Sequence, residues 1–362
     1  MSSWFETCNQ CEILINEEDY QSVYGLLKDC PSEKTTQRVD FYLGICCYNL
    51  RKIDEAISHY KKLDFPLAHY NLATCYGIKH DLPNFFREFE CRFKVNDTFS
   101  MYHDRFRNHW DGKKKGNTIY VYNEQGIGDM VQYMRFLPML KKFFKKIIVE
   151  CAEEMNGLFT EQYCDIIVTR GKQPPIPSFD FDCAVSIGSL PYKFKITKDK
   201  IPNKPYIFSR EINSPGLKIR KFPQQTDKLK IGVCWKGNPT YKNNKHRSCD
   251  VKHLLELKNE DRVLYNLTKD VKDDIVSYNF STLQETANLI SEMDVVVSVD
   301  TAVAHIAGAM GIPTILLLGK QHDWRWGIDD ETTYWYPKTR IMRLNGDWSL
   351  AKNSLREFHK QA

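Results

Sequence analysis

No apolar run in this 362-residue chain approaches the roughly 18 to 20 residues that span a membrane. The opening residues, Met1-Ser2-Ser3-Trp4-Phe5-Glu6, lack a basic segment followed by an apolar stretch, so no secretory leader is expected and the chain is expected to stay in the cytoplasm. Also missing are a Walker lysine loop, a G-x-S-x-G elbow and an H-E-x-x-H pair, which sets aside kinase, serine-hydrolase and zinc-protease readings. Neither sign of charge dominates: 51 Lys and Arg against 46 Asp and Glu leave +5, too mild a balance to single out nucleic acid or a membrane surface. Disorder is excluded by a 42% hydrophobic content.

Cysteine is plentiful, with 12 in the chain, but the residues are scattered or adjacent (Cys46, Cys47) and mostly lie in apolar runs where a thiol packs well. The single C-x-x-C, Cys8 to Cys11, sits in a helical pattern with no second pair at zinc spacing. Reduced thiols and no bound metal are therefore expected. Lysine clusters at 113 to 115 and at 141, 142, 145 and 146 read as solvated surface.

Residues 1 to 111 read as helical hairpins. Leu43, Gly44, Ala56 and Tyr60 are spaced like the packing positions of a tetratricopeptide repeat, and a poorer copy runs through Leu72, Ala73, Tyr76, Phe85 and Phe89. A weaker copy surrounds Leu14, Val23 and Leu27. Such a region serves to bind a protein partner or to brace its neighbour. After the charged joint Trp110 to Asn117 the periodicity changes to alternating strand and helix, which predicts a parallel α/β domain over 117–212. Its expected elements are strand 118–123, helix 128–144, strand 146–151, helix 153–163 and strands 165–169 and 181–187. A Pro-rich stretch between Pro202 and Lys228 separates this from a second α/β domain over 228–345. There the expected strands are 229–234, 263–267, 295–299 and 314–318, with helices from Asp250, over 282–293 and over 302–310. Residues 346–362 read as a C-terminal helix, 348–358, able to cross back and clip the two α/β domains together.

Three constellations carry candidate chemistry. In the first, Glu124-Gln125-Gly126-Ile127-Gly128-Asp129 joins a strand to a helix, but Val131 replaces the third glycine of a dinucleotide fingerprint, so no nicotinamide cofactor is expected. Asp129 falls in the first turn of that helix, where a carboxylate either caps the free N–H groups or serves as a general base at a cleft. The second runs from Val299 through Asp300, Thr301, Ala302 and Val303 to His305. Its small residues let the helix lie close to its sheet, its first N–H groups suit a diphosphate, and His305 one turn in can donate to a phosphate oxygen. In the third, Trp235-Lys236-Gly237-Asn238-Pro239 at a strand end is followed by Arg247 and Ser248, so Lys236 and Arg247 supply positive charge for a leaving diphosphate.

With these residues in place, the chain resembles the bacterial glycosyltransferases related to the ADP-heptose:lipopolysaccharide heptosyltransferases, in the subgroup with N-terminal tetratricopeptide repeats. The marks are Glu124 to Asp129 with Arg135-Phe136-Leu137-Pro138, Trp235 to Pro239 with Arg247-Ser248, and Val299 to Ala309. Asp323-Trp324-Arg325-Trp326 and Trp335-Tyr336-Pro337 complete them. The resemblance implies a GT-B fold of two Rossmann-like domains after an all-α helical-repeat region. It also implies inverting, metal-independent transfer from a nucleotide-diphosphate sugar to an acceptor hydroxyl. By the same resemblance Asp129 is the base and Asp300, Thr301 and His305 bind donor phosphate. Asn266, Thr268 and Lys269, after a strand, are nucleotide candidates. A departure is that Ala302 and Val303 follow the Asp-Thr pair, where those enzymes usually carry glycine. Two other functions fit the same residues: a catalytically inactive binding or scaffold protein, and a nucleotide-sugar epimerase. The acceptor, whether glycan, lipopolysaccharide, protein or small molecule, is not specified.

Overall fold

A computed structural model describes residues 4–30, 36–155, 157–159, 163–170, 179–210, 227–239, 244–268, 274–278 and 280–355. The chain forms two compact units, one of Met1–Asp104 with Lys195–Lys198 and Asp323–Asp329, the other of Arg105–Phe194, Asp199–His322 and Asp330–Ala362.

The first unit is all helical: α1 (Trp4–Asn16), α2 (Tyr20–Leu27), α3 (Gln37–Asn49), α4 (Ile53–Tyr60), α5 (Pro66–Ile78), α6 (Leu82–Phe89) and α7 (Asp97–Asp104). Within the pairs α1/α2, α3/α4 and α5/α6 the same turn recurs. Glu18, Arg51 and His80 take left-handed φ of 64°, 62° and 62°. The next N–H in each case reaches back to the carbonyl five residues earlier: Asp19 to Leu14 at 2.9 Å, Lys52 to Cys47 at 2.8 Å and Asp81 to Tyr76 at 2.9 Å. Side-chain caps start four of the helices, from Asp19 on α2, Thr36 on α3, Asp81 on α6 and Asn96 on α7. Gly44 lets α3 lie against the Tyr60 ring, where a methyl group would stand 2.5 Å from a ring carbon. Trp324, from the 323–329 segment, stacks on Phe85 with centroids 3.8 Å apart and closes over Gly77. A cavity of 160 Å³ lies among Ile45, Tyr48, Asn49, Tyr60, Asn71 and Thr74.

The second unit holds two wholly parallel sheets. In the first, β1 (Gly116–Tyr122), β2 (Phe144–Ala152), β3 (Ile166–Arg170) and β4 (Cys183–Ser186) run in the order β3-β2-β1-β4, with α8 (Ile127–Tyr133) after β1 and α9 (Leu190–Lys193) after β4. The second contains β5 (Leu229–Cys234), α10 (Asn244–Arg247), α11 (Lys252–Leu255), β6 (Arg262–Asn266), α12 (Leu283–Ile290), β7 (Val295–Val299), α13 (Ala302–Met310), β8 (Thr314–Leu318) and β9 (Thr339–Arg343). Its order is β6-β5-β7-β8-β9. Two parallel α/β sheets therefore follow the helical unit, as the alternating strand and helix periodicity predicts. β7 and β8 are buried along their whole length, as strands covered on both faces must be.

Several expected elements differ. The helix expected over 128–144 stops at Tyr133 and continues as a 3₁₀ segment, Met134–Lys142, because Pro138 offers no N–H to an α-helical ladder. Of the helix expected over 153–163, a single 3₁₀ turn, Glu153–Met155, forms among the described residues. The helix from Asp250 is one turn, Lys252–Leu255. Strand β9 was not expected, since Arg340 and Arg343 within its five residues mark an edge rather than a buried strand. The C-terminal helix is instead a 3₁₀ segment, Trp348–Asn353, and Ala351 and Leu355 pack into the core of the second sheet with Leu254, Leu257 and Leu344. Residues 356–362 of that expected helix, and Pro215, Gly216 and Pro223 of the expected linker, lie outside the described residues. Among the described residues no helix is long and apolar enough to cross a membrane.

Trp110 anchors the start of the first sheet. It packs on Phe143, Phe144 and Phe194 with centroids 5.2, 5.8 and 5.5 Å away and donates from Nε1 to the Lys114 carbonyl at 2.9 Å. Trp110→Ala should cost roughly 3–5 kcal/mol, read as a lower urea midpoint for the second unit. Tyr192→Ala at the exposed rim should stay within about 0.5 kcal/mol.

Candidate functional site

An open parallel sheet binds ligands at the carboxyl ends of its strands, where the strand order reverses. In the first sheet that point lies between β1 and β4, and in the second between β5 and β7. The loops after β1, β5 and β7 are the three constellations singled out from the sequence.

After β1 the chain is held by its own side chains. Asn123 Oδ1 accepts the Gln125 N–H at 3.1 Å, Asn123 Nδ2 donates to the Gln125 carbonyl at 3.0 Å, and Arg170 donates to the Asn123 carbonyl. Glu124 is buried across the reversal point, accepting from Ser186 Oγ at 2.6 Å and from Gln125 Nε2 at 3.2 Å. Asp129, half-buried in the first turn of α8, accepts the Gly126 N–H on Oδ2 at 3.2 Å, the capping geometry open to it from the sequence.

After β7, Thr301 is the N-cap of α13 but makes no side-chain bond into the helix. Its hydroxyl lies instead 3.3 Å from Ser298 Oγ and 3.5 Å from Cys234 Sγ. The half-buried residues Asp300, Thr301 and Ala302 thus frame the helix start, with Val303 buried behind them. Burial pushes the Cys234 thiol up from its ordinary range, so it stays protonated and unreactive. His305 is 3% exposed. Its Nδ1 is 2.8 Å from Tyr336 Oη, its Nε2 3.9 Å from Asp300 Oδ1, and its ring meets that of Tyr336 edge to face at 70°. The ring also lies against the backbone of Gly128: a methyl group there would stand 2.9 Å from His305 Cδ2 and 3.3 Å from Nε2. The turn carrying Asp129 and the helix carrying His305 are therefore in contact.

After β5, Trp235 is buried and its carbonyl accepts the Cys249 N–H at 2.8 Å. Gly237 donates to Ser248 Oγ at 3.1 Å, and its missing side chain makes room for Arg247, whose Nε and Nη2 would stand 2.9 Å from a methyl group there. Lys236, half-buried, and Asn238, exposed, flank that glycine, so the loop gathers Lys236 and Arg247 at the same strand end. Thr240 to Asn243 lie outside the described residues.

Asn266 and Thr268 stand apart from the reversal point, at the end of β6 on the outer edge. Asn266 Oδ1 accepts the Thr268 N–H at 2.8 Å and its hydroxyl at 2.6 Å, while Asn266 Nδ2 donates to Ser277 at 3.1 Å. Lys269 lies outside the described residues. Among the described residues no group of three or more His, Cys, Asp or Glu is placed to hold a metal ion.

The structure also assembles a cluster that residue chemistry alone did not single out. Arg135, 3% exposed, donates to the carbonyls of Gln132 at 2.9 Å, Trp335 at 2.8 Å and Pro202 at 3.2 Å, and to Tyr206 Oη at 2.8 Å. The rings of Tyr206, Trp335 and Tyr336 surround its guanidinium, with centroids 4.8, 5.4 and 4.9 Å away. Arg135 and Trp335-Tyr336 are two separate marks of the resemblance, 200 residues apart in sequence and in contact in the fold. Gly128→Ala should cost about 1–3 kcal/mol, since His305 is pinned by Tyr336 and cannot yield. Gly25→Ala, with nothing within 4 Å, should instead be stabilising by about 0.5–1 kcal/mol, both read by thermal unfolding.

Residues 268–354 match the sequence model of glycosyltransferase family 9 (heptosyltransferase), a stretch that includes α13, His305 and Tyr336. Protein FlbA of Caulobacter vibrioides is 24% identical over 297 residues, 69% of this chain and 48% of that protein, so the chain spans about half the length of this curated relative. Among solved structures, the iron-containing dodecameric glycosyltransferase TibC of enterotoxigenic E. coli aligns over 68% of this chain and 77% of its own, at 12% identity and TM-score 0.44. E. coli heptosyltransferase WaaC, solved with ADP-2-deoxy-2-fluoro heptose, aligns over 67% and 99% at 11% identity and TM-score 0.43. E. coli ADP-heptose lipopolysaccharide heptosyltransferase II aligns over 68% and 100% at 13% identity and TM-score 0.43.

Proposed function

We propose that the protein is an inverting, metal-independent glycosyltransferase that moves a sugar from a nucleotide-diphosphate donor to an acceptor hydroxyl. The observation carrying this reading is the contact between the Asp129 turn and the first turns of α13, which brings a carboxylate and a helix N-terminus to one place.

In this reading the acceptor oxygen attacks the anomeric carbon, its proton passes to the Asp129 carboxylate, and the bond from that carbon to the phosphate oxygen breaks with its electron pair on the diphosphate. The leaving group is stabilised by the first N–H groups of α13, by His305, and by Lys236 and Arg247. A helix end favours an anion by about 0.3–1 kcal/mol in an exposed setting and up to about 2 kcal/mol when partly buried. The cationic side chains must supply the rest. Glu124, fixed by Ser186 and Gln125, keeps the acceptor-side loop in shape, and Asn266 and Thr268 brace the end of β6 rather than touching nucleotide directly. The helical pairs act as a tetratricopeptide-like region that recruits a protein partner or braces the catalytic unit, and the 12 free thiols suit a reduced cytoplasm.

Asp129→Asn should lower turnover by about 10²–10⁴-fold while leaving thermal stabilisation by the donor nucleotide sugar unchanged, measured across a panel of ADP-, UDP- and GDP-sugars. Undiminished turnover in that variant removes the aspartate from the mechanism. Activity that disappears on chelation with EDTA and returns with a divalent or iron salt would overturn metal independence, and full activity in EDTA is the expected result.

A further inference from the structure

Gly319, the first residue after β8, is buried and has no part in the mechanism above. It does not lie in the left-handed region, so what its missing side chain provides is room rather than backbone freedom. A methyl group there would stand 2.1 Å from the carbonyl oxygen of His246 and 3.3 Å from Cζ2 of Trp348. The nearer atom belongs to the backbone and cannot rotate away as a side-chain end does. α10 is thus pressed onto the end of β8. Its other flank is pressed onto the end of β5, where Arg247 Nε and Nη2 and Asn244 Oδ1 would each stand 2.9 Å from a methyl group on Gly237. Ser248 ties that flank down, accepting the Gly237 N–H at 3.1 Å and donating to Asn244 Oδ1 at 2.9 Å.

In the second sheet β5 and β8 are the two neighbours of β7. With strands spaced about 4.8 Å, the ends of β5 and β8 lie roughly 10 Å apart, and a segment held at both lies across the carboxyl end of β7. That end leads through Asp300 and Thr301 into α13. We propose that α10 is a strap across the donor-phosphate site and that Gly319 is the positioning residue that sets its height, holding Arg247 within reach of an anion at the start of α13. The inference rests on the donor-site reading above. Gly237 cannot set that height alone, since it meets Arg247 and Asn244 through their side chains, whereas Gly319 meets the chain itself. Any side chain at 319 must push the His246 carbonyl outward by about an ångström to reach ordinary contact, and Arg247, the next residue, moves with it. Hydrogen bonds from nitrogen form over roughly 2.7–3.2 Å, so that lift breaks the one Arg247 offers the anion.

The probe is inorganic pyrophosphate, with binding read by calorimetry and backbone opening by hydrogen–deuterium exchange. In the wild-type protein it should slow exchange over 300–305 and over 244–249 together. Gly319→Ala should weaken its binding about tenfold, the loss of one hydrogen bond to a charged group. Arg247→Ala should weaken it by a similar factor, and adding Gly319→Ala to that variant should change affinity by less than about twofold, because both act through one contact. Additive losses overturn the positioning role, as does a Gly319→Ala protein that binds pyrophosphate like the wild type. Wild-type protection confined to 300–305 also overturns the strap, needs no variant to fold, and leaves the donor site in place. If pyrophosphate does not bind, or slows exchange only away from 300–305, the donor-site reading falls and this inference falls with it.

Discussion

The packing of α8 against α13 depends on a guanidinium buried between the two sheets. Removing a charge from water costs several kcal/mol even after relaxation, so Arg135 is tolerable only where each of its nitrogens finds a partner. It is met by three carbonyls and a tyrosine hydroxyl, each bond to a charged donor contributing about 1.5–3 kcal/mol, with three aromatic faces adding to them. Those partners come from three different places: Gln132 at the end of α8, Pro202 and Tyr206 on the connection, and Trp335 on the way into β9. An arrangement satisfied only when all three are present fixes their relative positions more sharply than apolar contact would, because apolar contact is non-directional. A lysine cannot replace it, having a single charged point and no planar fork.

Close approach then becomes a requirement on sequence. With α8 and α13 this near, position 128 has no room for a side chain beside His305, and position 308 none beneath Tyr336, where a methyl group would stand 2.4 Å from the ring. The two glycines serve one ring pair from opposite sides. The N-cap of α13 follows a similar economy: Thr301 turns its hydroxyl to Ser298 and Cys234 instead of capping, leaving the first N–H groups to whatever approaches from the loop side.

What the sequence made legible followed from period and punctuation. Strands 229–234, 295–299 and 314–318 and helix 302–310 lie where their short apolar runs put them, because each is buried over most of its length and its signal is little diluted. The 128–144 helix was read too long, since apolar spacing continues through Pro138 although the backbone ladder cannot. β9 escaped notice because an edge strand needs charge as much as it needs apolar residues. The reversal points of the two sheets were not legible at all, since strand order is set by pairing between distant segments. Glu124 was visible as a loop residue, but not its bond to Ser186, 62 positions on. Arg135 and Tyr336 were each marked by resemblance and given no task, as the contact that gives them one joins positions 200 residues apart.

Asp129 shows why a capping carboxylate and a general base need not be rival assignments. The cap engages Oδ2 with the Gly126 N–H at 3.2 Å, a bond at the long end of the normal range and therefore a modest one. Anchored by that oxygen and by the first turn of α8, the carboxylate is already oriented by the fold, so in the proposed reaction the entropy of orienting the base is spent in folding rather than at the moment of reaction.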